Sequence, residues 1–257
     1  MTRPPRKPRK EFAIVQLLPN MLTVAAICAG VTAIRFGVDG NYERAVLLIL
    51  FAAVLDGLDG RLARALGSDS EMGAELDSLA DFLNFGVAPP LLIYFWALQD
   101  MRGAAWISVL VFTVCCVVRL ARFNATSKAD EGASKLSEFF TGVPAPAGAM
   151  LVMLPMFASF AVADAPIVPG PVIMIYMMII GYLMISRIPT WSFKTTRVSR
   201  ENVKFFLVGF VAVVAAVFTF AWTTLVILCL AYAAVVVWAL VMRRPKPETP
   251  GSDPGDS

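Results

Sequence analysis

The chain contains no histidine, and that one absence removes a histidine-ligated zinc site, a Ser-His-Asp triad and a histidine general base together. Acid–base work would have to fall to carboxylates. Charge is also scarce: 16% of the 257 residues are charged against 58% hydrophobic. The mean hydropathy of +0.71 excludes an ordinary soluble globular protein. The four cysteines, Cys28, Cys115, Cys116 and Cys229, all fall in apolar stretches and read as small buried hydrophobes, not as disulfide partners. There is no glycine-rich phosphate loop of the nucleotide-binding kinds, no heptad seam and no internal repeat, and no nucleic-acid partner is expected.

What is present is a series of long apolar runs bounded by charges and turn residues. They predict helices near 17–36, 43–66, 72–98, 103–123, 145–162, 168–187, 203–221 and 222–242. A bilayer core takes about 20 apolar residues per helix, so the expected fold is all-α, a polytopic membrane helical bundle of about eight transmembrane helices. The tail with Arg3, Arg6, Lys7, Arg9 and Lys10 has no cleavage pattern after it, which reads as a cytoplasmic tail and not a removed signal. With both termini cytoplasmic, Arg35, Arg44 and Arg102 fall outside and the rest of the 22 basic residues inside, as the positive-inside rule requires. The basic stretch from Arg187 to Lys204, with Lys194, Arg197 and Arg200, would lie against anionic headgroups. Residues 1–11 are expected to be a basic tail, 12–242 one membrane domain, and 243–257 a disordered tail too poor in apolar residues to order itself. The Met-rich run from Met174 to Met184 reads as packing or lipid contact.

The informative stretch is Asp56-Gly57-Leu58-Asp59-Gly60-Arg61-Leu62-Ala63-Arg64, followed by Gly73, Asp77 and Asp81. At helical spacing, 56, 59, 60 and 63 share one face and so do 73, 77, 81 and 84. Two neighbouring helices thus each present an acidic pair. Intramembrane carboxylates are expensive, and four of them together repel unless a cation stands between them. An oxygen-only donor set suits Mg²⁺ or Mn²⁺, whose shell substrate phosphates often complete. The pattern therefore points to metal-assisted phosphoryl chemistry. Gly60, Ala63 and Gly73 leave room for a ligand near the backbone, and Arg64 offers a fork for phosphate. A lone aspartate near a helix end is a cap or a solvated charge, which is the reading for Asp69, Glu71 and Glu75. Glycines of membrane helices are otherwise packing sites.

The spacing D-G-x-x-A-R, eight residues, G-x-x-x-D-x-x-x-D, with a further aspartate three residues upstream, resembles the signature of the CDP-alcohol phosphatidyltransferases at every fixed position. The resemblance implies that Asp56, Asp59, Asp77 and Asp81 hold two divalent metal ions, Mg or Mn, and that Asp81 also serves as the catalytic general base. It implies CDP-diacylglycerol contacts from Gly60, Ala63, Arg64, Ser70 and Gly73, and from Asn20 and Thr23 in a segment, Pro19 to Thr23, for which capping of the first helix is the competing role. Three further segments, Asn84 to Pro89, Arg119 to Asn124 and Phe140 to Pro146, resemble the bacterial type II phosphatidylserine synthases; Asn84 departs from the serine that many members carry. The implied activity is transfer of a phosphatidyl group from CDP-diacylglycerol to L-serine, at the cytoplasmic face of the inner membrane, by a homodimer.

The acceptor's carboxylate would need a cation. Arg119, Arg122 and Arg187 are the candidates, with Asn84 beside them, against the plainer role of interface anchors. Other acceptors, such as glycerol 3-phosphate, inositol phosphate or choline, remain open at this point. So does an ion-coupled transporter, since intramembrane acids also mark ion pathways.

Overall fold

The computed structural model describes residues 17–68, 70–130, 140–162, 166–186, 189–190 and 203–241. The expected tails 1–11 and 243–257, Asp69, Arg187, Lys194, Arg197 and Arg200 lie outside the described residues. A helix occupies each of the eight predicted intervals: α1 (Leu18–Val38), α2 (Tyr42–Leu66), α3 (Glu71–Asp81) running through a π-helix (Phe82–Val87) into α4 (Ala88–Ala97), α5 (Arg102–Asp130), α6 (Ala145–Val152) with α7 (Leu154–Val162), α8 (Gly170–Ile185), α9 (Val203–Thr219) and α10 (Ala221–Val241). A two-residue antiparallel bridge, β1 (Phe140–Thr141) with β2 (Pro189–Thr190), pairs Phe140 with Thr190. The architecture is all-α.

Among the described residues, four helical stretches are long and apolar enough to cross a membrane: Leu18–Val38, Glu71–Ala97, Gly103–Thr126 and Ala221–Val241. The α6–α7 pair, bent by 42°, makes a fifth if taken as one span. The expectation of about eight is not reached on length and apolarity, for identifiable reasons. Helix α2 carries Glu43, Arg44, Asp56, Asp59, Arg61 and Arg64, and α8 is only 16 residues long. Large apolar side chains such as Leu47, Phe51, Val54, Val114 and Val118 point outward, as they do where the surrounding solvent is lipid. The protein is an integral membrane helical bundle.

Its helix breaks follow from proline, and neighbouring helices repair them. Pro155 has no N–H for the Leu151 carbonyl one turn back, and the Tyr176 hydroxyl of α8 donates to that carbonyl at 2.7 Å. Pro90 likewise leaves the Gly86 carbonyl, to which the Thr113 hydroxyl of α5 donates at 3.0 Å. Ahead of Pro89 and Pro90 the turn widens, with the Ala88 N–H bonding the Leu83 carbonyl five residues back. In a bilayer such carbonyls have no water to turn to, so side-chain donors from the next helix are what make the breaks tolerable.

Helix α1 packs along α2 and against α3 and α4, while α5 packs along α8. The core between them contains Ile49, Phe85, Leu92, Phe112 and Phe157. Of the methionine run, Met174, Met177 and Met184 are buried and Met178 is exposed, so packing and lipid contact share it. All four cysteines are free, Cys28 exposed and the other three buried. The α5–α8 contact depends on Gly181: a β-carbon there would stand 3.2 Å from Phe112 Cα and 3.5 Å from Cys115 Cβ. Gly181→Leu should therefore cost about 1–3 kcal/mol, read as a melting temperature lowered by several degrees in detergent.

Candidate active site

Helix α2 ends at Gly67, whose φ of 59° is the left-handed conformation that glycine adopts cheaply. Its N–H and that of Ser68 return to Arg64 and Ala63 carbonyls, which closes the helix and turns the chain sharply. Ser70 then caps α3, its hydroxyl oxygen accepting from the Gly73 N–H at 3.0 Å. The turn sets the last part of α2 against α3, and with it the acids of both.

Asp56 and Asp81 come within hydrogen-bonding reach of each other across the two helices. Asp77 lies in the field of both Asp56 and Asp59, and Asp81 in that of Asp59 and Asp77. All four carboxylates are thus mutual neighbours. Asp59 is buried, only 3% exposed, and its Oδ2 accepts a 2.7 Å hydrogen bond from the Thr23 hydroxyl of α1. Asp59 Oδ1 and Asp56 Oδ1 are buried with no hydrogen-bond partner. Orphaned anionic oxygens in a donor set made only of oxygen fit a hard divalent cation. Among the described residues, no three acidic or cysteine side chains surround one common point; the fit rests on the donor chemistry and the two unpaired oxygens.

A cleft of about 190 Å3 opens beside the acids, lined by α1 (Pro19, Asn20, Thr23), α2 (Asp59, Gly60, Ala63), the connecting turn (Ser68, Ser70) and α3 (Gly73, Ala74, Asp77). Six of the seven residues expected to contact CDP-diacylglycerol line it: Asn20, Thr23, Gly60, Ala63, Ser70 and Gly73. The seventh, Arg64, is exposed and its Nε donates to the Gly60 carbonyl at 3.0 Å. The capping alternative for Asn20 and Thr23 does not hold, because α1 begins at Leu18 without a side-chain cap. Sequence reasoning missed Ser68, whose Oγ is buried, unpaired and on the cleft wall. Its one available signal was position, just past the glycine that ends α2.

The residues expected around the acceptor are scattered. Arg119 of α5 neighbours Asp81, and its Nε is buried without a partner. Arg122 is exposed, with Nη1 donating to the Ile185 carbonyl at the end of α8 at 3.0 Å, so its fork closes a helix terminus. Asn84 is wholly buried in the π-helix, beside Gly30 of α1, with both amide atoms unpaired. Asn124 of α5 donates to Ser78 Oγ at 2.9 Å and so ties α5 to the helix carrying Asp77 and Asp81.

Comparison with known proteins adds lineage to this geometry. The family profile described as CDP-alcohol phosphatidyltransferase matches residues 16–191. Over 239 residues the chain is 38% identical to the CDP-diacylglycerol–serine O-phosphatidyltransferase of Mycobacterium leprae, across 93% of this chain and 79% of that protein. Over 191 residues it is 32% identical to the enzyme of that name from Helicobacter pylori, across 74% of this chain and 77% of that one. A crystal structure of Mycobacterium tuberculosis phosphatidylinositol phosphate synthase with CDP-DAG bound aligns at a TM-score of 0.46 and 20% identity, over 66% of this chain and 80% of that one.

A β-carbon on Gly73 would stand 3.0 Å from Asn20 Oδ1 and 3.1 Å from Ser70 Oγ, inside the cleft. Gly73→Val should weaken binding of a cytidine diphosphate probe by about tenfold or more, the effect of roughly 1–3 kcal/mol of overpacking. Titration calorimetry of the purified protein measures it.

Proposed function

The chain belongs to the CDP-alcohol phosphatidyltransferase family, and from that premise we propose that it transfers the phosphatidyl group of CDP-diacylglycerol to the hydroxyl of L-serine, yielding phosphatidylserine and CMP. The observation that carries the reading is the 38% identity to a serine transferase across 93% of the chain. The four neighbouring aspartates beside a cleft supply chemistry that suits it. Family membership leaves the transporter alternative without support. Glycerol 3-phosphate, inositol phosphate and choline stay as the acceptors against which serine is tested.

In this reading Asp56, Asp59, Asp77 and Asp81 hold two divalent ions, Mg or Mn. When bound, these would neutralise diphosphate charge and align the reacting groups, the contributions that dominate phosphoryl transfer. Asn20, Thr23, Gly60, Ala63, Arg64, Ser70 and Gly73 bind the CDP part. Thr23 also fixes the orientation of Asp59 through its hydroxyl. Asp81 accepts the proton of the serine hydroxyl as that oxygen bonds to the phosphorus carrying diacylglycerol; the bond from phosphorus to the CMP oxygen breaks, and CMP departs. A carboxylate suffices as base because proton uptake need only accompany bond formation. Arg119, near Asp81, is the cation assigned to the serine carboxylate. Asn84, Arg122 and Arg187 complete the acceptor-site assignment, with Arg122 also closing α8.

The wider assignments go with it: residues 12–242 as one membrane domain of eight spans between cytoplasmic tails, in the inner membrane, with the acids at the cytoplasmic face and the protein a homodimer.

The direct test is radiolabelled L-serine entering chloroform-soluble lipid, dependent on CDP-diacylglycerol and on Mg²⁺ or Mn²⁺. In purified Asp81→Asn, CMP release should fall by about 10²–10⁴-fold, with CDP-diacylglycerol binding retained. Normal turnover in that variant would refute the base assignment.

A further inference from the structure

Helix α10 lies beyond the residues 16–191 that the family profile matches, yet it is seated firmly in the bundle. Leu225, Cys229 and Val236 are its buried residues, and Tyr232 falls on the same stripe at helical spacing. The Cys229 thiol donates to the Met150 carbonyl of α6 at 3.5 Å. Trp222 meets Phe160 of α7 edge-on, with centroids 4.8 Å apart. These contacts fix the rotation of α10 and turn Tyr232 inward, where it packs against the main core.

There Tyr232 neighbours Arg119. The Tyr232 hydroxyl and Arg119 Nε are both buried, and neither has a hydrogen-bond partner in the protein. Two shielded donors left unpaired are costly unless something else takes their hydrogen bonds. Arg119 also interacts electrostatically with Asp81, so the guanidinium lies in the field of a carboxylate on α3 and of a phenol on α10. A guest that satisfies this arrangement needs an anionic, bidentate group for the guanidinium and phenol. It also needs a hydroxyl a few bonds away for Asp81. A small β-hydroxy amino acid carries both.

We infer that Tyr232 is a specificity-determining residue: its hydroxyl joins the Arg119 guanidinium in binding the acceptor's carboxylate, which turns the acceptor's hydroxyl toward Asp81. The inference rests on the transferase reading above and adds a residue from outside the part of the chain that the family profile covers. The shared region supplies nucleotide and phosphate chemistry, and the last helix selects the alcohol.

Tyr232→Phe removes one oxygen and keeps the ring, so α10 stays packed. With the full chain in detergent, CMP release is followed against L-serine, against CDP-diacylglycerol, and against L-serinamide, which has the hydroxyl but no carboxylate. The expected result is a KM for L-serine raised about tenfold, the effect of losing one hydrogen bond to a charged group. The KM for CDP-diacylglycerol and kcat/KM for L-serinamide should be unchanged, so that the preference for serine over its amide shrinks. A KM for serine that does not move in an active variant overturns the inference. So does an equal rise for both substrates with a lowered melting temperature, because that is a packing defect. If the unaltered protein releases no CMP with serine, the transferase reading is what fails, and the inference fails with it.

Discussion

Mutual repulsion among Asp56, Asp59, Asp77 and Asp81 is the constraint around which this bundle is organised. Four carboxylates stand within one another's field, two of them with buried oxygens that no donor reaches. Like charges so placed destabilise any fold that lacks a compensating interaction. Thr23 satisfies one oxygen of Asp59, and the Arg119 guanidinium attracts Asp81. The remainder of the negative charge is what would draw a divalent cation, and only through that cation would a diphosphate-bearing ligand follow. The cost of gathering the acids is the other face of their affinity for the cation.

Holding that cluster requires rigid helices, yet the chain around it is broken by prolines. The two observations are reconciled by cross-helix donors. Thr113 serves the Gly86 carbonyl beside the π-helix that continues α3, and Tyr176 serves the Leu151 carbonyl at the α6–α7 bend. Each donor sits on a helix that also packs the core, and the Thr113 bond steadies the π-helix that directly follows Asp81. The π-helix begins directly after Asp81, so the helix is widest where its acidic face ends. π-Turns are frequent at functional sites, and here the cause is local, since Pro89 and Pro90 cannot donate to the carbonyls one turn back.

Helix positions and the acidic quartet were legible in the sequence because both are written in short-range spacing. Apolar runs of membrane length mark the helices, and a three- and four-residue rhythm puts Asp56 with Asp59 and Asp77 with Asp81. What stayed illegible depends on partners far apart in the chain. Nothing local says that Arg122 would close α8 at Ile185, that Asn84 would be enclosed against Gly30, or that Tyr232 would come into the field of Arg119. The widened turn at 82–87 was missed although its prolines were visible, because a proline announces a lost hydrogen bond without saying how the helix adjusts. The number of crossings is not fixed by helix positions alone, since helix length and membrane span are different quantities, and α2, with its charges, separates them.

The side-chain bond from Asn124 to Ser78 has a dynamic corollary. It couples the helix bearing the proposed base to the helix bearing Arg119, just as Thr23 couples α1 to α2 through Asp59. The site therefore divides into two tied pairs joined by the glycine-ended connection at 67–70. Because α1 also packs against α3 and α4, parting the two pairs would strain that contact before either side-chain bond.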